Sequence, residues 1–230
     1  DTTRDDYLKA RTGKPLRPNQ MAFTQNFPKW HTSLMKAWYG AAATKENNFA
    51  YDWMPKRDTA YDALAIFERM YQGKINGFLC QGFNPLASFP DAHKVRDAFS
   101  KLKYMVIIDP IATETSTFWQ NHGESNDVDS SKIQTEVFRL PASCFAEDPG
   151  SFTNSGRVIQ WHGKAIDPPG EGKTDREIMS QLFLKIREMY AKEGGAFPDA
   201  IKALNATGNL DPAEVERLKA LGNRAHHTSG

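Results

Sequence analysis

The feature that most restricts how this 230-residue chain can fold lies between residues 75 and 108. Ile75 to Cys80 is a short apolar run with the length of a strand, and Gly82-Phe83-Asn84-Pro85 breaks it. Asp91 is placed to cap a helix with Ala92, Val95, Ala98, Phe99 and Leu102 turned inward. Tyr104 to Ile108 is a second run, almost entirely aliphatic or Met, as in a strand covered on both faces. Strand, loop, helix, strand is a βαβ unit, whose crossover is right-handed and whose strands are parallel. The expected class is therefore α/β, a Rossmann-like βαβ lobe with a mostly parallel sheet flanked by helices.

The flanks are read around that unit. Residues 1–27 are polar, carry Gly13, Pro15 and Pro18, and read as loop. Trp30, Leu34 and Trp38 share one face of a short helix ending near Gly40. Ala41 to Pro55 is aromatic but aperiodic, and Asp58 is a candidate N-cap for a helix with Tyr61, Leu64, Ala65, Phe67 and Met70, stopped near Gly73. Thr113 to Gln120 has room for a helical turn or two, 121–131 reads as a polar surface loop, and Thr135 to Leu140 alternates as a strand up to Pro141. Residues 151–161 read as a turn between two strands. Thr174 with Glu177 forms a capping box opening a helix with Ile178, Leu182, Phe183, Ile186 and Met189 on one side, and Asp211-Pro212 opens another. The expected segments are 1–74, a loop and helical part packing on the lobe; 75–166, the lobe; and 167–230, a helical part.

Composition narrows the function classes. The net charge of +1 gives no global reason to expect nucleic acid as a partner. No run approaches the roughly 18–20 apolar residues that span a bilayer, so direct membrane insertion is not expected. Cys80 and Cys144 are too few for a disulfide framework, lack zinc-finger spacing, and read as two buried thiols. The six histidines form no catalytic pattern, and His226-His227 read as solvated tail residues rather than metal ligands. The aromatic segment Phe27 to Trp53 is either core or an interface, with core packing the preferred reading. The opening Asp1-Thr2-Thr3-Arg4-Asp5-Asp6 has no signal-peptide core, as though the chain were processed or cut from a longer one.

Ligands of open α/β sheets lie outside the carboxyl ends of the strands. There Gly82 lets backbone approach a ligand, Asn84 offers an amide, and the following helix N-terminus offers N–H groups to phosphate. Asp109 ends the next strand, close to the spacing at which a dinucleotide fold places its sugar- or base-reading acid. A plain turn and a plain strand cap would look the same.

The run Ile75 to Pro85, then Val106-Ile107-Ile108-Asp109-Pro110 with Thr113-Glu114-Thr115, then Pro141-Ala142, Glu147 and Gly150 to Val158, resembles the molybdopterin oxidoreductase family. Residues 34–40, 48–55, 167–170 and 174–178 are similar more narrowly to the large catalytic subunit of exported, membrane-associated formate dehydrogenases. The resemblance implies a middle piece of a larger subunit that oxidises formate to carbon dioxide at molybdenum or tungsten held by two pyranopterin guanine dinucleotides. Gly82, Phe83, Asn84 and Pro85 would form the turn against one guanosine and its phosphates. Asp109 would face that guanosine with Thr113 and Glu114 nearby, and Thr153, Asn154 and Arg157 would help shape or close the site. The family's cysteine cluster for iron–sulfur and its metal-ligating residue have no counterpart here, so no catalytic or metal-ligating residue is assigned and the segment alone should be inactive. Implied partners are the rest of the parent subunit and an iron–sulfur electron-transfer subunit, in the periplasm. Two other readings stay open: a fragment of a nitrate, sulfoxide or polysulfide enzyme of the same family, or a stand-alone nucleotide-binding module.

Overall fold

The computed structural model describes residues 3–22, 24–56 and 61–204. They fall into two compact units, one within Asp1–Asp58 and Ser180–Gly230, the other within Thr59–Met179.

The first unit opens with α1 (Arg4–Arg11), where a loop was expected. The helix has no strong apolar period; its ends hold it. Thr3 accepts a hydrogen bond from the Asp6 N–H at 3.1 Å, and Asp5 and Asp6 begin the helix while Lys9 and Arg11 end it, matching its dipole. Helix α2 (Phe27–Tyr39) ends at Gly40, whose φ of +54° suits glycine. Its buried seam is His31, Met35 and Tyr39, one residue along from the expected face. Met35 and Tyr39 pack with Ala43, just after one 3-10 turn, and Ala50 of a second, leaving Trp30 and Trp38 55% and 38% exposed. Of the tryptophans on the aromatic segment, only Trp53 joins that core, so core packing does not account for the other two.

The second unit carries α3 (Ala63–Tyr71), β1 (Gly77–Gln81), α4 (Pro85–Ser88), α5 (Ala92–Phe99), β2 (Tyr104–Asp109) and β3 (Glu136–Pro141). The cap of α3 is Asp62, which accepts from the Ala65 N–H at 2.8 Å, so Tyr61 precedes the helix; Asp58 lies outside the described residues. The three strands form one sheet in the order β1-β2-β3, all parallel, with Cys80 beside Ile107 and Ile107 beside Arg139. The mixed α/β class and the parallel β1–β2 pair are as the sequence leads one to expect. Asp91 does cap α5, accepting from Lys94 N–H at 3.1 Å.

One sheet face is the core. Cys80, Met105 and Ile107 meet Phe67 and Met70 of α3, Val95, Ala98 and Phe99 of α5, and Leu86 and Phe118. Among the described residues the opposite face is covered at its carboxyl end, where Ile108 packs with Ala142 and Ile178. Tyr104 and Phe138, on that same face by strand alternation, stay half-exposed, so β2 is not covered on both faces along its length. Thr135 donates to the carbonyls of Phe99 and Leu102 at 2.8 and 2.9 Å and so ties β3 to the end of α5.

The 121–131 stretch is not a plain surface loop. Asn126 and Val128 are buried, and Asn126 donates to the carbonyls of Phe118 and Gln120 at 2.8 and 3.1 Å, which fold the loop back on itself. Strands β4 (Gly150–Thr153) and β5 (Ile159–His162) flank the expected turn, and they pair antiparallel in a separate two-stranded sheet. The capping box forms in both directions ahead of α6 (Asp175–Glu193): Thr174 N–H donates to Glu177 at 2.9 Å and Glu177 N–H to Thr174 at 3.2 Å. Of the expected apolar side of α6 only Ile178 is buried; Ile186 and Met189 are exposed. A short α7 (Pro198–Ala203) follows, and the expected helix from Asp211 and the paired histidines lie outside the described residues. No described helix is long and apolar enough to cross a membrane.

Candidate cofactor-contact site

The site grows from the carboxyl ends of β1 and β2. Gly82 takes φ +56°, a conformation that costs another residue about 1–2 kcal/mol. Its N–H donates to Ile108 O at 2.9 Å, so the turn starts directly beside the last residues of β2. A Cβ at Gly82 would meet no atom within 4 Å, which leaves open space on the outer side of the turn.

Asn84 fixes the far end of the turn. Its Oδ1 accepts from the Thr115 hydroxyl at 2.8 Å and the Thr115 N–H at 3.2 Å, and its Nδ2 donates to Glu114 at 2.6 Å. The same Thr115 hydroxyl accepts from Leu86 N–H at 3.0 Å. The Asn84 amide is therefore mainly a clasp between the turn and residues 114–115, and only part of its capacity remains for a ligand. The hydrogen bond from Asn84 holds the Glu114 carboxyl below its ordinary pKa. Thr113 belongs to a local turn, exchanging backbone-to-hydroxyl bonds with Ser116 at 2.8 and 3.3 Å.

The helix N-terminus expected to face phosphate is differently built. Helix α4 follows Asn84 at once and is a single turn with Pro85, which has no N–H, at its start. Leu86 N–H is taken by Thr115, and the α5 N-terminus is closed by Asp91. Among the described residues, the Phe83 and Asn84 N–H groups have no hydrogen-bond partner, so the donors available here belong to the loop itself. Cys80 is buried under this turn and its thiol donates to Phe83 O at 3.1 Å. Burial, then the charge of Asp109, push its pKa up to about 11, which leaves it a protonated structural thiol. Cys144 is half-buried rather than buried. Among the described residues no group of His, Cys, Asp and Glu is arranged to hold a metal ion.

Asp109 closes β2 at the same sheet edge. It lines a cleft of about 300 Å³ with Ile107, Ser116, Arg139 and Pro141. Arg139 pairs with Ile107 and Pro141 with Asp109, so strand alternation puts all four on one face. Among the described residues the Asp109 carboxylate has no ion-pair partner, and burial, then the charge of Asp175, raise its pKa. A raised carboxyl pKa means the fold disfavours the ionised form, so this penalty grows as pH rises past the ordinary value of 3.8 and levels off above the folded one. Asp109→Asn should therefore be more stable than the parent chain at pH 7, with the gap closing as the pH is lowered to 3. Urea unfolding at the two pH values reads this directly.

The structure brings the Gly82 turn, Asn84, Thr113, Glu114 and Asp109 to one sheet edge. Thr153, Asn154 and Arg157 lie on the β4–β5 hairpin and are exposed. Asn154 accepts from Gly156 N–H at 2.9 Å, and Arg157 takes φ +58°. No described contact joins them to the turn. Sequence reasoning missed Thr115, the buried centre of the clasp, and Arg139, which only the β2–β3 register brings beside Asp109.

No family model matches the chain. It is 58% identical over 203 residues to the formate dehydrogenase-O major subunit of Escherichia coli, a match covering 88% of this chain and 20% of that protein. It is 45% identical over 227 residues to the formate dehydrogenase major subunit of Haemophilus influenzae, covering 98% and 22%. It is 39% identical over 214 residues to formate dehydrogenase 2 subunit alpha (cytochrome c-553) of Nitratidesulfovibrio vulgaris, covering 92% and 21%. The chain thus spans about a fifth of the length of the curated relatives it matches. By sequence it belongs to the formate dehydrogenase major-subunit family and corresponds to one segment of such a subunit.

Proposed function

We infer that this chain is the cofactor-positioning segment of a formate dehydrogenase large subunit, an oxidoreductase that takes formate to carbon dioxide and passes the electrons to iron–sulfur clusters. The observation that carries the reading is a partly desolvated carboxylate, Asp109, at the same sheet edge as an open turn with two amide N–H groups, none of which has a partner among the described residues. A guanine presents two adjacent N–H donor groups, which suit a carboxylate engaged in no ion pair. A pyrophosphate suits backbone N–H donors beside a glycine that leaves room for it. The residues present therefore fit the guanine dinucleotide end of a bis-pterin guanine dinucleotide. When bound, that group supplies the molybdenum or tungsten redox chemistry.

The chain's own part is positional. Asp109 accepts from the base, Phe83 and Asn84 donate to phosphate oxygens, and the Asn84–Thr115 clasp keeps the turn from moving. Thr113 and Glu114 border the guanosine, while Pro85 ends the turn. Thr153, Asn154 and Arg157 help close the site in the complete subunit. The segment 75–166 is the lobe that performs this, flanked in sequence by 1–74 and 167–230. Its partners on this reading are the rest of the large subunit and an iron–sulfur electron-transfer subunit, and its compartment is the periplasm.

The test is guanine content. Charge-assisted hydrogen bonds contribute roughly 1.5–3 kcal/mol each. Asp109→Ala in the complete large subunit should thus lower cofactor affinity about ten- to a hundredfold. Guanine dinucleotide released per subunit, after equilibration at limiting cofactor, should fall accordingly. Content equal to that of the parent would overturn the assignment.

A further inference from the structure

The first unit buries two polar nitrogens that have no partner. His31 of α2 is 4% exposed, and its Nδ1 makes no hydrogen bond among the described residues; neither does the Nε of Arg4 on α1, which is buried as well. Nearly every buried polar atom of a folded protein is paired, so two such atoms on neighbouring helices mark a place that a further molecule completes.

The surroundings hold both side chains in place. The rings of Tyr7, Phe27 and Tyr51 stand 5.2, 6.1 and 6.2 Å from the His31 ring, centroid to centroid. Arg4 reaches the next residue along, donating from Nη2 to the Thr32 hydroxyl at 2.6 Å, and its guanidinium lies 5.0 Å over the Phe49 ring. Phe49 is presented by strained backbone. Asn48, Phe49 and Ala50 take φ of +54°, +56° and +62° in succession, a left-handed conformation that disfavours each of them. The Asn47 side chain holds that turn, accepting from Thr44 N–H at 3.0 Å and Ala50 N–H at 2.8 Å. The guanidinium is thus fixed on two sides while its Nε–H is left without an acceptor.

Charge names the occupant. The charges that act on His31 are those of Arg4 and Arg11, both positive; burial first, and then these charges, lower its pKa and keep the imidazole neutral. Arg4 forms no ion pair among the described residues. A water molecule would satisfy Nε–H and Nδ1 but leave that positive charge uncompensated. A carboxylate satisfies both atoms and compensates the charge, through hydrogen bonds that charge strengthens. The three rings that enclose His31 restrict the occupant to a small one.

We propose that Arg4 and His31 form a binding site for a small free carboxylate of the size of formate, one oxygen accepting from Arg4 Nε–H and the other from His31 Nδ1–H. The site shares no residue with the Gly82 turn or Asp109, so it stands apart from the cofactor-positioning reading.

Nuclear magnetic resonance of the His31 imidazole in the full chain, titrated with sodium formate at constant ionic strength, tests it. Formate should shift the His31 resonances saturably and raise its pKa, since a bound anion favours the charged ring. The other ionisable groups that face His31, Tyr7 and Arg11 from α1 and Tyr51 from the 3-10 turn, keep their charge through the neutral range in which this is read. Arg4→Lys keeps the charge but loses the Nε–H, and should weaken the response about tenfold or more. Should that variant fail to fold, the parent chain still gives a second readout: the formate C–H proton should show cross-relaxation to the ring protons of Tyr7 and His31. No saturable shift, or the same shift with sodium chloride, would overturn the proposal. A His31 already charged at pH 7 in formate-free solution would assign the acceptor to a carboxylate of the protein itself and overturn it equally.

Discussion

Phe99→Ala should leave the sheet unit close to unfolded. Phe99 has no exposed surface, and its ring lies 5.3 Å from Phe118, 5.9 Å from Phe67 and 6.2 Å from Phe78, centroid to centroid. It is the point where α3, α5, β1 and the 115–118 turn meet. Truncation of a buried Phe to Ala costs about 3–5 kcal/mol through lost transfer energy and the cavity left behind. The aromatic contacts add roughly 0.5–1.5 kcal/mol each. Against the 5–15 kcal/mol that typically holds a domain together, that is most of the margin. Urea unfolding should show the midpoint collapse toward zero denaturant. Phe138→Ala, in the same sheet but 44% exposed, should cost under about 1 kcal/mol.

Thr115→Val should cost about 2–3 kcal/mol although it changes the shape of the side chain little. Thr115 is fully buried, and its hydroxyl both donates to Asn84 Oδ1 and accepts from Leu86 N–H. Valine leaves Leu86 N–H without an acceptor in a buried place, a penalty of roughly 1–3 kcal/mol, and weakens the hold on Asn84. The effect should reach the site. With the clasp loosened, the Gly82 turn loses its fixed far end, and on the cofactor-positioning reading a complete large subunit carrying the variant should lose cofactor at denaturant concentrations where the parent subunit retains it. Thr115→Ser keeps the hydroxyl and should recover most of the stability. If the Val and Ser variants unfold alike, the clasp has no energetic role.

These two residues also mark what the sequence shows and what it hides. The βαβ unit is legible because apolar runs of strand length, a Gly-x-Asn-Pro break and an Asp cap all point the same way over 34 residues. Helix α1 is not legible from periodicity, since its stability comes from a Thr cap and end charges and only Leu8 is buried. The face of α2 is misread by one residue because large apolar side chains, Trp30 and Trp38, stand out more than the His31-Met35-Tyr39 seam that packs. The one-turn helix α4 is too short to leave a pattern, and its presence changes which N–H groups are free. Thr115 is 31 residues from Asn84 in sequence, and no local spacing rule reveals a hydroxyl that matters only once the turn has folded against it. Asp109 is legible as the acid that ends a strand. That it forms no ion pair among the described residues although Arg139 lines the same cleft, and that burial and Asp175 disfavour its charge, appears only in three dimensions.

A structure of the complete large subunit with its cofactor bound tests the central claim most directly. A guanine N–H within hydrogen-bond reach of the Asp109 carboxylate, with phosphate oxygens on the Phe83 and Asn84 amides, is the result required. A guanine dinucleotide bound elsewhere, with Asp109 facing only protein or water, would contradict it.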